Sequence, residues 1–182
     1  MGIETSSSES REKPAVLYHA SSNKNIDVFE PRKEKVRDPK EGPRIFATPD
    51  KRLATIFLVP TDDRWATSGL FGTTPYLVVS DEKRFREMDM GGAIYSLPSD
   101  SFVSDPDKGL RELEWTSASS VRPIGKEEYD SALEVMLRSG VQVYFVDRQT
   151  FELIQKSEDH GYSTLKGLTS ENTRQGVNPI IL

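Results

Sequence analysis

Arg44-Ile45-Phe46-Ala47-Thr48-Pro49-Asp50-Lys51-Arg52-Leu53-Ala54-Thr55-Ile56-Phe57 is the stretch whose reading decides the fold. Residues 44–47 form a short strand in this reading, with an aromatic at Phe46. Thr48 then offers a hydroxyl to cap a helix, and Pro49 falls at the first helical position, where its missing N–H is harmless. Leu53, Ala54, Ile56, Phe57 and Leu58 give that helix its buried face, and it ends before Pro60.

The flanking sequence extends this strand-to-helix unit into many short strands and few helices. Residues 15–20 alternate around Val16, Leu17 and Tyr18 as a first strand. Ile26 and Phe29 are spaced like one helical turn. Residues 30–43, rich in Lys, Arg, Glu and Pro, make a long exposed loop. Residues 61–74 make a second loop, carrying Trp65 and Phe71. The runs 75–79 and 141–146 are β-branched and aromatic, as buried strands are. Residues 83–88 make a helical turn. Residues 92–97 and 101–103 are short strands around a Pro-Ser-Asp turn. Another strand is expected over 110–116, followed by extended chain over 121–124. In residues 126–139, Tyr129, Ala132, Leu133, Met136 and Leu137 share one helical face, and Gly140 ends it. Asp147 caps a short helix through Phe151, Leu153 and Ile154. No internal repeat is present. The absence of strict strand–helix–strand alternation predicts an α+β fold. The expected organisation is a disordered leader over 1–13, a single domain over 14–157, and a tail over 158–182 with little regular structure.

Composition narrows the chemistry. At 182 residues, with 35% hydrophobic and 29% charged, the chain is long enough for one domain with a real core. There is no cysteine, which removes disulfides, thiol nucleophiles and cysteine-ligated zinc. Two histidines, His19 and His160, are too few for a histidine-rich metal site, and no metal is expected. A net charge of −5 argues against a surface that attracts nucleic acid as a whole. The Ser- and Glu-rich start lacks an apolar segment, and no apolar run approaches the ~20 residues of a membrane span. A cytoplasmic protein with no membrane contact is the expectation.

Three groups of residues carry candidate chemistry. His19 stands where the first strand ends. Small Ala20 and Ser21 follow it and let a ligand approach the backbone. Its imidazole suits a hydrogen bond to a sugar hydroxyl, although a single histidine is more often satisfied by a carbonyl. Phe46 and Phe57 offer aromatic faces on which a flat ring stacks, adding about 0.5–1.5 kcal/mol beyond area burial. Between them, Ala47 and Thr48 leave room and amides near a helix start. Glu112 and Glu114, two apart on a strand, point to one face, where two carboxylates repel unless solvent or a ligand separates them. Close carboxylates also suit a glycosidase. They suit Mg²⁺ less, because no further aspartate cluster accompanies them. The loop 30–43 carries Arg32, Lys33, Lys35, Arg37 and Lys40 and reads either as a solvated loop or as a rim for a phosphate or an acidic partner. Trp65 and Phe71 make a lid or a partner contact, or fold onto the core.

In order and spacing, His19-Ala20-Ser21, Ile45-Phe46-Ala47 with its following helix, and Glu114-Trp115 resemble the ADP-ribosyltransferase superfamily, closest to its diphtheria-toxin-like and poly(ADP-ribose)-polymerase-like branch. The resemblance covers residues 15–123. That branch opens its site on His-Gly-Ser, continues through an Ile-Tyr-Phe-Ala type strand into a helix bearing Tyr, and closes on a Glu-Tyr pair. Here Ala20 replaces the glycine, and Ile56 and Phe57 stand where the helix Tyr is expected. Glu112 before Glu114 is also similar to the Glu-x-Glu turn of arginine-modifying relatives, whose Ser-Thr-Ser strand is absent.

The resemblance implies a split β-sheet core with peripheral helices, and NAD as co-substrate. It implies that His19, with Ala20 and Ser21, holds the nicotinamide ribose, and that Phe46 and Phe57, with Ala47 and Thr48, wall the nicotinamide. Glu114 would stabilise the oxocarbenium-like transition state as nicotinamide leaves, and Glu112 would orient or deprotonate the acceptor. The expected reaction is ADP-ribosyl transfer or NAD glycohydrolysis, to a protein, nucleic acid, small molecule or water. Two alternatives share the fold: a catalytically silent interaction module, and an enzyme of the RNA 2′-phosphotransferase type.

Overall fold

In the computed structural model, residues 12–33 and 38–174 are described, with side chains through 168. The leader expected over 1–13 lies almost wholly outside them. So do the centre of the 30–43 loop and the last residues of the tail. The elements in chain order are β1 (Val16–Ser21), β2 (Ile45–Ala47), α1 (Lys51–Thr55), β3 (Ala66–Phe71), β4 (Thr74–Val79), α2 (Glu82–Met88), β5 (Gly92–Pro98), β6 (Val103–Ser104), β7 (Trp115–Ser117), β8 (Gly125–Tyr129), α3 (Ala132–Arg138), β9 (Gln142–Phe145), α4 (Arg148–Lys156) and α5 (Tyr162–Arg174). The strands make three small sheets, ordered β1-β5-β8, β2-β7-β6 and β3-β4-β9, and the fold is α+β.

The first two sheets are antiparallel throughout, and in the third only β4 and β9 run parallel. Alternation sets the two faces of the third sheet. Leu77, Val79, Val143 and Phe145 face a core shared with α1, α2 and α3. Tyr76, Val78 and Tyr144 face the other way, onto Phe151 and Ile154 of α4 and Leu165 of α5. A third cluster, with Leu17, Tyr95, Leu97 and Phe102 at its centre, lies between the β1 and β2 sheets.

One junction positions the site. β1 and β2 meet at a single antiparallel bridge, in which Tyr18 and Thr48 exchange backbone hydrogen bonds of 2.7 and 2.9 Å. No further ladder joins the two strands, so they diverge from this point and leave a gap between the sheets.

Several expectations are corrected. Residues 126–129 are not helical but belong to β8, the edge strand beside β5. The helix begins only after Ser131, whose hydroxyl accepts the Glu134 N–H. Residues 110–116 are not one strand: Arg111–Leu113 is a 3-10 turn, because Gly109 and Arg111 adopt φ of 54° and 55°. Within the expected loop 61–74, Ala66–Phe71 pairs with β4 as a hairpin. Phe29 closes no helical turn; it forms an isolated bridge with Val121. The tail contains α5, and Leu165 is only 1% exposed, so packed structure continues past Ser157. Trp65 and Phe71 take the core alternative. Trp65 is buried beneath the Arg84 guanidinium, and Phe71 stacks on Tyr76 at a ring separation of 4.0 Å.

Asp89 staples α2 to α3. It ends α2, and its carboxylate accepts from the Ala132 and Leu133 N–H groups at 2.6 and 3.0 Å and from the Ser131 hydroxyl at 2.9 Å. Burial opposes its charge, but hydrogen bonds from Leu133, Ala132, Ser131 and Gly91 hold its pKa below the usual aspartate value. A depressed folded-state pKa means a stability contribution that is full above the unfolded pKa and lost as pH falls through the folded one. Asp89→Ala should therefore cost about 2 kcal/mol at neutral pH. In denaturant titrations the gap to the parent should start to close below about pH 4. A gap unchanged down to the acid transition would show that the charge on Asp89 is not what stabilises the junction.

Candidate functional site

The gap between β1 and β2 opens into a cleft of about 530 Å³. Its floor and walls come from the ends of β1 and β2, from α1 and the 3-10 turn Ile56–Leu58 that continues it, from the start of β3, and from the 110–114 segment. His19, Ala20, Ser21, Phe46, Ala47, Thr48, Phe57 and Glu114 all line it. They come from three separate stretches of sequence and meet here because β1 and β2 splay apart while α1 folds back across β1.

His19 is half-buried, and its Nδ1 lies 2.6 Å from the Phe46 carbonyl oxygen. A carbonyl can only accept, so Nδ1 carries a proton, and in a neutral imidazole Nε2 would be the acceptor nitrogen. The ring also sits edge-on to Phe29, with centroids 4.7 Å apart. The histidine therefore bridges the two strands just where their backbone pairing stops, which fixes the orientation of its ring.

Phe46 is half-buried, whereas Phe57 is 53% exposed despite its size. Ile56 is 1% exposed and packs into the core, so Phe57 is the aromatic that this turn presents to the cleft. The capping arrangement differs from the expected one. Asp50, not Thr48, is the N-cap of α1, and its carboxylate accepts from the Arg52 N–H. The Thr48 hydroxyl instead accepts from the Asp50 N–H at 3.1 Å and steers the chain into the helix. Burial raises the Asp50 pKa, but hydrogen bonds from Arg52, strengthened by its charge, hold it below the usual value. The helix start thus already holds its own carboxylate and does not present an anion site.

Glu114 is half-buried between the 3-10 turn and β7, and it lines the cleft. Its carboxylate rests on the Cα of Gly109: a Cβ built there would lie 2.1 Å from Oε1. Glu112 is exposed on the 3-10 turn and is not among the residues lining the cleft. The expected shared face is lost because the segment is not extended. Trp115 donates from Nε1 to the Glu112 carbonyl at 2.9 Å and packs at the edge of the cluster around Leu17, Tyr95, Leu97 and Phe102.

The segment that carries Glu114 is tied to the one that leads into β2. Lys108 Nζ is 2.7 Å from Glu41 and 2.9 Å from Asp38. These hydrogen bonds, Glu41 first, raise its pKa above the usual lysine value. Sequence reading passed over Arg44 and Lys108. The acids that hold Lys108 lie far along the chain, and Arg44 meets Arg32 only through an isolated bridge, so no local pattern announces either. Among the described residues no group of three or more potential metal ligands is present, and no helix is long and apolar enough to cross a membrane. No family model, curated protein or solved structure matches this chain.

Proposed function

We propose that this chain binds NAD in the β1–β2 cleft and transfers its ADP-ribose with release of nicotinamide, as a divergent ADP-ribosyltransferase. The observation that supports this most is the convergence of His19, Phe46, Phe57 and Glu114, from three distant segments, on one cleft. The splayed pair β1 and β2 suits the split sheet of that fold.

In this reading the His19 Nε2 accepts a hydroxyl of the nicotinamide ribose. The two phenylalanines wall the nicotinamide ring. The Glu114 carboxylate accepts a second ribose hydroxyl. As the glycosidic C–N bond breaks, its electron pair leaves with nicotinamide and positive charge builds on the ribose. A fixed carboxylate beside that charge lowers the barrier, because it is oriented before the reaction begins. The acceptor's lone pair then forms the new bond to the anomeric carbon, and its proton passes to solvent. With water as acceptor the products are ADP-ribose, nicotinamide and a proton. Glu114 alone takes the charge-stabilising role, since Glu112 lies outside the cleft.

Incubation with NAD should release free nicotinamide in proportion to enzyme and time, as followed by chromatography. A chain that binds NAD and releases none would be an interaction module on this fold.

A further inference from the structure

Arg32 and Arg44 face each other across an isolated antiparallel bridge, the Arg32 N–H donating to the Arg44 carbonyl at 3.3 Å. Both line the cleft. Like charges directly opposite on paired strands are destabilising. Among the described residues, neither guanidinium takes part in an ion pair. The Arg44 side chain donates only to the neighbouring Pro43 carbonyl, at 3.2 Å. The acids that line the cleft are Glu30, Asp62, Asp63 and Glu114. Glu30 accepts from the Ser120 hydroxyl and Asp62 pairs with Arg64 and Arg84, while outside the lining Asp38 and Glu41 hold Lys108. Two cations thus meet at a cavity wall, and among the described residues no acid forms an ion pair with either.

Register places this pair relative to His19. Arg44 and Phe46 are two residues apart, so they share a face of the strand and stand roughly 7 Å apart along it. Burial follows the same alternation: Ile45 and Ala47 are buried, whereas Arg44 and Phe46 are half-buried and line the cleft. The Phe46 carbonyl is the group bonded to His19. A ribose at His19 therefore has the arginine pair about one sugar away along β2, which is where the 5′-phosphate of a nucleotide stands.

The geometry points to Arg32 and Arg44 as a phosphate-binding subsite of the cleft. It would take a diphosphate between two guanidinium forks, whose planar donors match phosphate oxygens in pairs. The inference rests on the NAD reading for the identity of its neighbour, not for its own chemistry. Two sources supply that chemistry: the diphosphate of NAD, or a phosphate on a second, nucleotide-like ligand.

The test titrates three probes into the full chain and into Arg32→Gln/Arg44→Gln: NAD, nicotinamide riboside, which lacks phosphate, and inorganic pyrophosphate. The expected result is pyrophosphate binding that falls about 10- to 100-fold in the double variant. Its salt dependence should weaken as well, and nicotinamide riboside should be unaffected. A parallel loss of NAD affinity identifies the diphosphate of NAD as the occupant. Retained NAD affinity with lost pyrophosphate binding identifies a phosphate on a second ligand. Pyrophosphate bound by the arginines without any NAD binding would leave the subsite standing and remove the NAD reading. Pyrophosphate that binds the double variant as it binds the parent, or binds neither, overturns the subsite. Arg32→Lys/Arg44→Lys, which keeps charge and loses the forks, should fall between the two and guards against a folding defect in the glutamine variant.

Discussion

Glu114→Gln is expected to leave NAD bound and to lower nicotinamide release by about 10²–10³-fold. The amide matches the carboxylate in size and can still accept a hydrogen bond. It lacks the negative charge that opposes the positive charge growing on the ribose, so ground-state binding survives and transition-state stabilisation does not. The packing at Gly109 allows an independent check. Gly109→Ala would drive a Cβ to 2.1 Å from Glu114 Oε1, and since that oxygen ends a flexible side chain, the carboxylate swings aside, with a further backbone strain of about 1–2 kcal/mol for Ala at a φ of +54°. Release should fall in this variant too, with Glu114 chemically intact. Undiminished release in Glu114→Gln would remove the residue from the chemistry.

Gly91→Ala is expected to lower stability by about 3–5 kcal/mol, combining a left-handed backbone cost with overpacking that cannot relax. Gly91 has φ of +66°, and a Cβ there would stand 2.0 Å from the Tyr129 carbonyl oxygen and 2.7 Å from the Asp130 carbonyl carbon. These are backbone atoms of β8 and of the turn into α3, held by the β5–β8 ladder on one side and by Asp89 on the other. Gly140→Ala is the matched control. Its φ is +86°, but nothing lies within 4 Å of the added Cβ, so it should cost only the backbone strain, about 1–2 kcal/mol. Denaturant midpoints with unchanged slopes would measure both. Equal losses in the two variants would show that the close approach to β8 is not what demands glycine.

The parts of the fold legible in sequence are those with strong local patterns. Tyr76 to Val79 and Val143 to Phe145 are apolar on both faces because their sheet is covered on both sides, and they read as strands without ambiguity. Asp147 caps α4 as its position before an amphipathic run suggests. The misreadings have physical causes. Tyr129 fits the helical spacing of Ala132, Leu133 and Met136, but residues 125–128 are an exposed, charged edge strand whose identity comes from pairing with β5, which no local pattern records. β3 is small and polar because it is also an edge, so it carried no alternation. The strand expected over 110–116 fails on one backbone detail, positive φ at Gly109 and Arg111, and with it goes the shared face of Glu112 and Glu114.

The candidate site was legible to the extent that it depends on order along the chain. His19, Phe46, Phe57 and Glu114 were picked out individually, and the structure brings them to one cleft. What sequence could not supply is the non-local pairing around them: the His19 bond to Phe46, the Lys108 tether to Asp38 and Glu41, and the opposition of Arg32 and Arg44. Each depends on where two segments distant in sequence meet, and neither periodicity nor composition encodes that.

The most direct test of the account is a calorimetric titration of NAD into the parent chain and into His19→Ala. Saturable binding in the parent that weakens about tenfold or more in the variant is the predicted result, since His19 contributes both a hydrogen bond and the fixed orientation of its ring. Equal affinity in the two chains, or no binding to either, would contradict the placement of a dinucleotide at the junction of β1 and β2.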